Sequence, residues 1–219
     1  MYFQFLIEDK SSEALVETVM SKIENGRDDI QHNCKSFKGI GGFTKKNTVK
    51  ETKTGKLLND LATYLRGFDK SLPHTDAAVI VVLDNDTRDT AKFQTELEQV
   101  ANQNMITIDH VFCIAVEEME AWLLGDENAV LKAYPDARLQ VIHSYVQDSI
   151  CGTWEKLADA VYKGGLVKFK KDCPTYQEKG KYKSEWSWNI GKYMEFSANK
   201  SPSFQKFISE INKRIDTAS

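Results

Sequence analysis

AAVIVVL, residues 77–83, is an unbroken apolar run that Asp84, Asn85 and Asp86 follow at once. Continuous apolarity, without the alternation of a half-exposed strand, is typical of a strand buried on both faces of a parallel sheet. Parallel strands are joined by crossover helices, which cover the sheet on both sides. The run therefore predicts an α/β fold with a mainly parallel sheet flanked by helices.

The chain on either side of this run alternates between strand-like and helix-like patterns. Tyr2–Ile7 and His110–Val116 are apolar runs that predict strands, and Ile30–Phe37 predicts a weaker one. Apolar residues at helical spacing over 15–23 and 57–68 predict intervening helices. This order favours right-handed crossovers and places the carboxyl ends of the strands at one edge of the sheet.

The pattern changes in the second half of the chain, where strand-like runs no longer occur. Residues 1–125 are predicted to form the α/β domain, and residues 126–219 a mostly helical C-terminal extension packed on it. Within the extension, residues 164–183 are predicted to be irregular, while Glu185–Phe196 and Pro202–Ile215 are predicted to be closing helices.

The composition is that of a globular protein, with 41% hydrophobic residues among 219 and a net charge of −3. No apolar run reaches the roughly 18 residues that a membrane span needs, and the N-terminus lacks the pattern of a signal peptide. The four cysteines form no Cys-x-x-Cys pair, which is typical of a reducing compartment. We therefore expect a soluble, cytoplasmic protein with no membrane partner.

Carboxylates follow three of the predicted strands. If the strands are parallel, these acids share one edge of the sheet, although they are far apart in sequence. Two carboxylates about 4 Å apart repel by roughly 4 kcal/mol at an effective dielectric constant near 20, so a cluster must keep protons or bind a cation. Such oxygen ligands favour Mg²⁺ or Mn²⁺, which serve in phosphoryl transfer. The residues concerned are Glu8, Asp84, Asp86, Glu117, Glu118 and Glu120.

A simpler interpretation stays open for some of the acids near strand ends. An acid that follows a strand often begins the next helix, where the helix dipole stabilises its charge. Asp9, Asp89 and Glu118 fit this structural role equally well.

Basic residues are concentrated in two segments. Residues 35–56 and 163–183 hold seven lysines each, together 14 of the 29 basic residues. Such segments suit contact with a polyanion, although solvated loops have the same composition. In the second segment Lys183 is a candidate for stabilising negative charge, and the nearby Trp186 and Trp188 either stack on bases or anchor a helix.

The first basic segment contains a glycine-rich loop. Its backbone amides and ammonium groups are candidates for binding phosphate, although the P-loop pattern GxxxxGK[ST] is absent and a plain glycine loop explains the sequence equally well. The candidate residues are Lys38, Gly39, Gly41, Lys45 and Lys46.

The acids after the first and third strands resemble the Toprim arrangement, in which a Glu follows the first strand and an Asp-x-Asp follows a later one. In this chain the matching residues are Glu8, Asp84 and Asp86. Toprim domains bind Mg²⁺ and act on phosphodiesters in topoisomerases, primases and nucleases, so the resemblance implies a metal site at these residues. Asp9 stands where many Toprim domains have Gly, and no glycine turn follows Asp86; these departures distinguish the chain from topoisomerases and primases.

The chain is more similar still to an uncharacterised Toprim-like bacterial family, domain of unknown function 4276. The stretches that carry this similarity are scattered from residue 6 to residue 204. They are LIEDKSSEALVETVMSKI, SFKGIGGF, AAVIVVLDNDTRD, IAVEEMEAWLLGD, GTWEKLAD, KSEW and KSPSF.

These observations predict a Toprim-like, Mg²⁺- or Mn²⁺-dependent phosphodiesterase or nuclease that acts on DNA or RNA. The expected metal ligands are Glu8, Asp84 and Asp86, with Glu8, Glu117, Glu120 and Lys183 as the candidate catalytic residues. Glu117 and Glu120 are expected to complete the metal shell or to act as the general base. The alternative is a non-catalytic module of the same fold that binds nucleic acid, a nucleotide or a partner ATPase.

Overall fold

A computed structural model describes residues 1–44, 47, 49 and 54–218 of the chain. Its strands are β1 (Tyr2–Ile7), β2 (Gln31–Ser36), β3 (Ala77–Asp84) and β4 (Asp109–Ala115). They form one all-parallel sheet in the order β2-β1-β3-β4. The helices are α1 (Lys10–Glu24), α2 (Leu57–Ser71), α3 (Thr90–Gln103), α4 (Glu120–Leu124), α5 (Glu127–Ala133), α6 (Leu139–His143), α7 (Thr153–Val161), α8 (Gly165–Asp172), α9 (Tyr176–Gly191) and α10 (Pro202–Ala218). The predicted α/β class with a parallel sheet and a helical C-terminal region is confirmed.

The interior strand β3 is apolar up to its last residue. All eight of its residues are buried, because β1 and β4 pair with it on either side and helices cover both faces. The register sets Ile7 beside Val82, so β1 ends two residues before β3 does. The edge strand β2 alternates between exposed and partly buried residues, as its polar sequence QHNCKS requires.

Helices cover both faces of the sheet, and the buried side chains form one hydrophobic core on each face. α2 and α3 pack on one face, and α1 packs with α4 to α10 on the other. On that second face, the Phe207 ring of α10 lies 6.4 Å from the Phe5 ring of β1 and 4.8 Å from the Trp122 ring of α4, between centroids. The C-terminal helices thus share a core with the sheet, and the domain boundary at residue 125 stays a prediction. No helix in the described part of the chain is long and apolar enough to cross a membrane.

Residues 164–183 are helical for most of their length, so the irregular structure predicted from the sequence is wrong. The lysines of α8 face solvent, while Phe169 is fully buried in a group of aromatic rings. The rings around it are those of Trp154, Tyr162, Tyr182 and Trp186. A capping box then starts α9, in which Thr175 and Glu178 satisfy each other's backbone N–H groups, well before the predicted start at Glu185.

The connections from β1 and β3 leave the sheet in opposite directions. β1 leads through α1 to β2 on one side, whereas β3 leads through α3 to β4 on the other. In open parallel sheets, ligands bind at such a switch point, in the crevice outside the carboxyl ends of the strands. Here the crevice lies between the ends of β1 and β3, where Glu8 and Asp84 stand.

Candidate metal centre at the carboxyl edge of the sheet

Four carboxylates from three strand ends converge at the switch point. Glu8 follows β1, Asp84 ends β3, and Glu118 and Glu120 follow β4; Lys183 contacts the last two, and its charge reaches Asp84. Oε2 of Glu8 accepts a hydrogen bond from the backbone N–H of Asp84 at 3.2 Å, which ties the two strand ends together. Asp84 is 7% exposed and Glu120 only 2%. We call Glu8, Asp84, Glu118 and Glu120 the acid cluster.

A single ammonium group enters the acid cluster among the ion pairs formed by the described residues. Nζ of Lys183, on α9, lies 3.2 Å from Oε2 of Glu120 and 3.7 Å from Oε1 of Glu118. Helix α9 reaches the site because it packs closely on α1, where a Cβ at Gly191 would lie 3.2 Å from Leu15 Cδ1. Burial would lower the pKa of Lys183, but the charges of Glu120 and Glu118 outweigh it and raise that pKa. The lysine therefore stays charged and offsets part of the cluster's negative charge.

Burial shifts the titration of the whole acid cluster toward neutral pH. It raises the pKa of Glu8 to about 7, with a further rise from the charge of Asp9. It raises the pKa of Glu118 to about 8, with a further rise from the charge of Glu120. Burial, followed by the charge of Glu8, also raises the pKa of Asp84. The acid cluster therefore keeps part of its protons near neutral pH, and full ionisation would require positive charge beyond that of Lys183.

An unpaired oxygen of Asp84 indicates that the acid cluster suits a metal ion. Its Oδ1 is buried and has no hydrogen-bond partner, although a buried polar atom is normally paired. Oε2 of Glu120 also lacks a hydrogen bond of good geometry, although the ammonium of Lys183 lies 3.2 Å from it. Buried carboxylate oxygens without donors are the ligands that Mg²⁺ and Mn²⁺ prefer, so the residues present fit such an ion.

The metal-free protein is expected to lose stability as the pH rises from about 5 to 8. Glu8 and Glu118 have pKa values raised from 4.5 to about 7 and about 8, so over this range the folded state holds protons that the unfolded state has released. Their contribution is fully present below pH 4.5 and is lost through pH 7 to 8, at no more than about 1.4 kcal/mol per pH unit for each group. Lys183 stays charged in both states and adds no slope.

Urea unfolding at several pH values measures this slope, and a Glu8→Gln variant should flatten it. A wild-type stability that rises between pH 5 and 8 would contradict the raised pKa values. Saturating Mg²⁺ should reduce the loss if the ion binds the ionised carboxylates.

Glu117 has a different environment from its neighbours in the sequence. Its backbone adopts a positive φ of 63°, and its side chain reaches the start of α7. The carboxylate accepts hydrogen bonds from the backbone N–H groups of Cys151, Gly152 and Thr153 at 3.0, 2.8 and 2.9 Å, and one from the Thr153 hydroxyl. Burial would raise the pKa of Glu117, but the hydrogen bonds outweigh it and lower that pKa. This residue therefore anchors α7, and its place in a metal shell stays a prediction.

Glu117→Gln is expected to destabilise the protein by about 2 kcal/mol, because the amide replaces an ionised acceptor with a group that presents N–H donors to other donors. The effect should appear equally with and without divalent metal. Glu155→Gln is the matched control, since it removes only a partly exposed ion pair with Lys170 at 3.6 Å, worth less than about 1 kcal/mol. Chemical denaturation of both variants measures the difference; equal stabilities would show that the Glu117 bonds contribute little.

The residues after Asp84 form a turn that Asn85 fixes. Asn85 is fully buried; its Oδ1 accepts from the backbone N–H of Glu117 at 2.5 Å, and its Nδ2 donates to Thr90 Oγ1 at 2.7 Å. Asp86 has a positive φ of 49°, is exposed, and pairs with Arg88 at 2.7 Å. Asp86 thus stands at the rim of the acid cluster. Sequence reasoning passed over Asn85, which holds the ends of β3 and β4 together.

The glycine-rich loop lies beside Glu8. The backbone N–H of Gly39 donates to the Glu8 carbonyl at 3.0 Å, and Lys38 is exposed next to it. Gly41 has a φ of 70°, and a Cβ there would lie 2.3 Å from Oδ1 of Asn59, so packing alone requires this glycine. Of the predicted phosphate-binding residues, the structure thus brings Lys38, Gly39 and Gly41 to the carboxyl edge. Lys45 and Lys46 lie outside the described residues.

An aromatic platform that sequence reasoning missed borders the acid cluster at Trp154. Its backbone N–H donates to Oε2 of Glu118 at 3.1 Å. The ammonium groups of Lys170 and Lys179 lie 5.5 and 5.6 Å from its ring centroid, within cation–π range. No spacing in the sequence connects these residues, because they come from α7, α8 and α9.

The other aromatic candidates divide between core and surface. Trp186 is 1% exposed within the core, whereas Trp188 is 52% exposed. Tyr176, at the start of α9, is 81% exposed and lines a depression with Asp9. The Thr175-x-x-Glu178 capping box was the signal that could have placed Tyr176 at a helix start near the site.

Comparison with known proteins gives a family and no characterised relative. No curated protein and no solved structure matches the chain. A family model described as a domain of unknown function, DUF4276, matches residues 7–212. The match extends from the end of β1 into α10 and includes the acid cluster, Lys183 and Trp154. The chain therefore belongs to the DUF4276 family of uncharacterised domains.

Proposed function

We propose that this chain is a metal-dependent phosphodiesterase that cleaves DNA or RNA, with Mg²⁺ or Mn²⁺ held by the acid cluster. The observation that carries the proposal is the buried, unpaired Oδ1 of Asp84 beside Glu8 at the switch point of the sheet. Glu8 and Asp84 would hold the ion. Asp86 would join them once its ion pair with Arg88 breaks. A bound ion of this kind neutralises phosphate and lowers the pKa of water. The resemblance to Toprim domains implies the same chemistry.

Two residues of the site are suited to handling protons and charge. Glu118, whose burial raises its pKa to about 8, exchanges a proton with water near neutral pH, as a general base must. Lys183 lies 3.7 Å from Glu118 and is 18% exposed, so its ammonium is available to a phosphate oxygen that enters the site. Such an ammonium stabilises negative charge that develops on phosphate.

Two shallow depressions beside the acid cluster provide room for a nucleic-acid strand. One of about 270 Å³ is lined by residues that include Asp86, Glu118 and Trp154. The other, of about 310 Å³, is lined by residues that include Lys10, Tyr176 and Lys181. Each depression contains an aromatic ring, and rings of this kind stack on unpaired bases.

Lys183 also favours the alternative function, a non-catalytic module that binds nucleic acid, a nucleotide or a partner ATPase. Its ammonium lies 3.2 Å from Glu120 and already supplies positive charge inside the acid cluster. In such a module the lysine would take the place of a metal ion, and the cluster would be a structural ion-pair network.

Calorimetric titration with Mn²⁺, followed by cleavage assays on single- and double-stranded DNA and RNA, separates the two functions. The enzyme should bind Mn²⁺ and cleave at least one substrate, and EDTA should stop the cleavage. Binding to the substrate should weaken with salt, with a log–log slope of about −0.7 to −0.9 for each phosphate neutralised. Nucleic-acid binding without Mn²⁺ binding or cleavage would support the module, and the absence of all three would refute both nucleic-acid functions.

A further inference from the structure

A second group of metal-binding side chains lies between the edge strand β2 and helix α1. One potential ligand atom from each of Glu17, His32 and Cys34 lies within 4.8 Å of the others. His32 and Cys34 are two residues apart on β2, so both side chains point to the same face of the sheet. Glu17 projects from α1, which covers that face. The three ligand types, carboxylate oxygen, imidazole nitrogen and thiol sulfur, thus meet at the edge of the sheet.

Glutamates of α1 lie opposite the polar residues on this face of β2. Ser36 Oγ donates to Glu13 at 2.9 Å. At the other end, His32 Nδ1 lies 2.6 Å from Oε1 of Glu24. Between them, His32 Nε2 lies 3.1 Å from Oε2 of Glu17. Because contacts with α1 on either side hold the strand in place, the three ligands are already near one another before any ion binds.

Both ring nitrogens of His32 face carboxylates, which a neutral imidazole cannot satisfy. A neutral ring has one N–H donor and one lone pair. If Nδ1 donates to Glu24, the lone pair of Nε2 points at a negatively charged oxygen of Glu17. A cation between Nε2 and Glu17 removes this conflict, and so does a second proton on the ring. The first solution is the familiar arrangement in which a carboxylate orients a metal-bound histidine from behind.

We propose that Glu17, His32 and Cys34 bind a zinc-type divalent transition-metal ion, with Glu24 positioning the His32 ring. Nitrogen, sulfur and oxygen donors together suit Zn²⁺ and Co²⁺, whereas Mg²⁺ takes oxygen. Three protein ligands leave a fourth position on a tetrahedral ion, which the 37% exposed side chain of Glu17 leaves open to solvent. The ion would fasten the edge strand to α1, at a site separate from the acid cluster.

Deprotonation of the thiol makes binding depend on pH. Burial, followed by the charge of Glu17, raises the pKa of Cys34, so the thiol keeps its proton in the metal-free protein. The ion must displace that proton to gain a thiolate ligand, and its apparent affinity should therefore rise with pH.

Titration of the full chain, freed of metal by chelation, with Co²⁺ as a spectroscopic probe tests the proposal. Thiolate bound to Co²⁺ gives a strong near-ultraviolet charge-transfer absorption, which should saturate at one ion per chain and disappear on addition of Zn²⁺. Cys34→Ser should abolish the absorption, and Cys151→Ser should leave it unchanged because Cys151 is an exposed thiol outside the group. Glu24→Gln should keep the absorption but weaken Zn²⁺ binding roughly 10- to 100-fold.

A wild-type measurement keeps the test valid if a variant fails to fold. Zn²⁺ should slow alkylation of Cys34 and leave alkylation of Cys151 unchanged. Peptide mass spectrometry measures both rates. The absence of charge-transfer absorption, its persistence in Cys34→Ser, or equal alkylation rates of Cys34 with and without Zn²⁺ would overturn the proposal. His32 would then contact only the two glutamates.

Discussion

Asp84→Asn is expected to raise the melting temperature of the metal-free protein and to remove its response to Mn²⁺. Asparagine keeps the shape of the side chain but removes a carboxyl group whose ionisation is opposed by burial and by the charges of Glu8 and Glu120. The expected gain is about 1–2 kcal/mol in the pH range where the acid cluster ionises. In the wild type, Mn²⁺ at about 100 times its Kd should stabilise the folded state by about 2.7 kcal/mol. The variant lacks a ligand and should show little of this stabilisation. Differential scanning calorimetry with and without Mn²⁺ measures both effects.

Asp76→Asn is the matched control, because Asp76 is exposed and directly precedes the opposite end of the same strand. It should leave both the melting temperature and the response to Mn²⁺ unchanged. On the proposed function, nucleic-acid cleavage by Asp84→Asn should fall by more than about 100-fold, whereas Asp76→Asn should keep it. A destabilised Asp84→Asn protein that still responds to Mn²⁺ would mean that Asp84 has a structural role and that the ion binds elsewhere.

Much of the fold follows from apolar patterns that the sequence displays locally. AAVIVVL predicts a buried parallel strand because each of its residues is apolar, and β3 is buried along its whole length. The weak strand at β2 was predicted as well, although only one edge of it is paired. Helix α8 and the first part of α9 were missed because their lysines dominate the composition, whereas the part of α9 from Glu185 onward was predicted to be helical. Their apolar contacts come from Trp154 and other residues far away in the chain, and local patterns do not contain that information.

The acid cluster could be predicted from the sequence only as a meeting of strand ends. Parallel pairing brings Glu8 and Asp84 together whatever the side chains do, and this part was predicted. Which acids turn inward depends on backbone torsions: a positive φ directs Glu117 to α7, while Glu118 enters the cluster. The lysine that accompanies them, Lys183, was a candidate by type alone, and its contact with Glu120 depends on how α9 packs against α1.

Lys183→Met is expected to destabilise the metal-free protein by about 3–5 kcal/mol at pH 8, because it leaves buried carboxylates without their cation. Methionine preserves most of the apolar stem of lysine, so lost packing contributes little. The loss should be smaller at pH 6, where burial keeps Glu8 and Glu118 protonated. Urea unfolding at both pH values measures it, and Lys181→Met, on an exposed residue of the same helix, serves as the control.

Addition of Mn²⁺ to Lys183→Met distinguishes a metal site from an internal ion pair. If the acid cluster accepts a divalent ion, that ion supplies the missing positive charge, and the variant should regain most of its lost stability and gain more from Mn²⁺ than the wild type does. If the lysine is instead the permanent partner of Glu118 and Glu120, the space left by a methionine is apolar and Mn²⁺ should restore nothing. If the ion binds through Asp84, a Lys183→Met, Asp84→Asn double variant should be as unstable with Mn²⁺ as without it. Rescue of the single variant combined with failure of the double variant would assign the ion to Asp84, because the two proteins differ only in that one carboxylate.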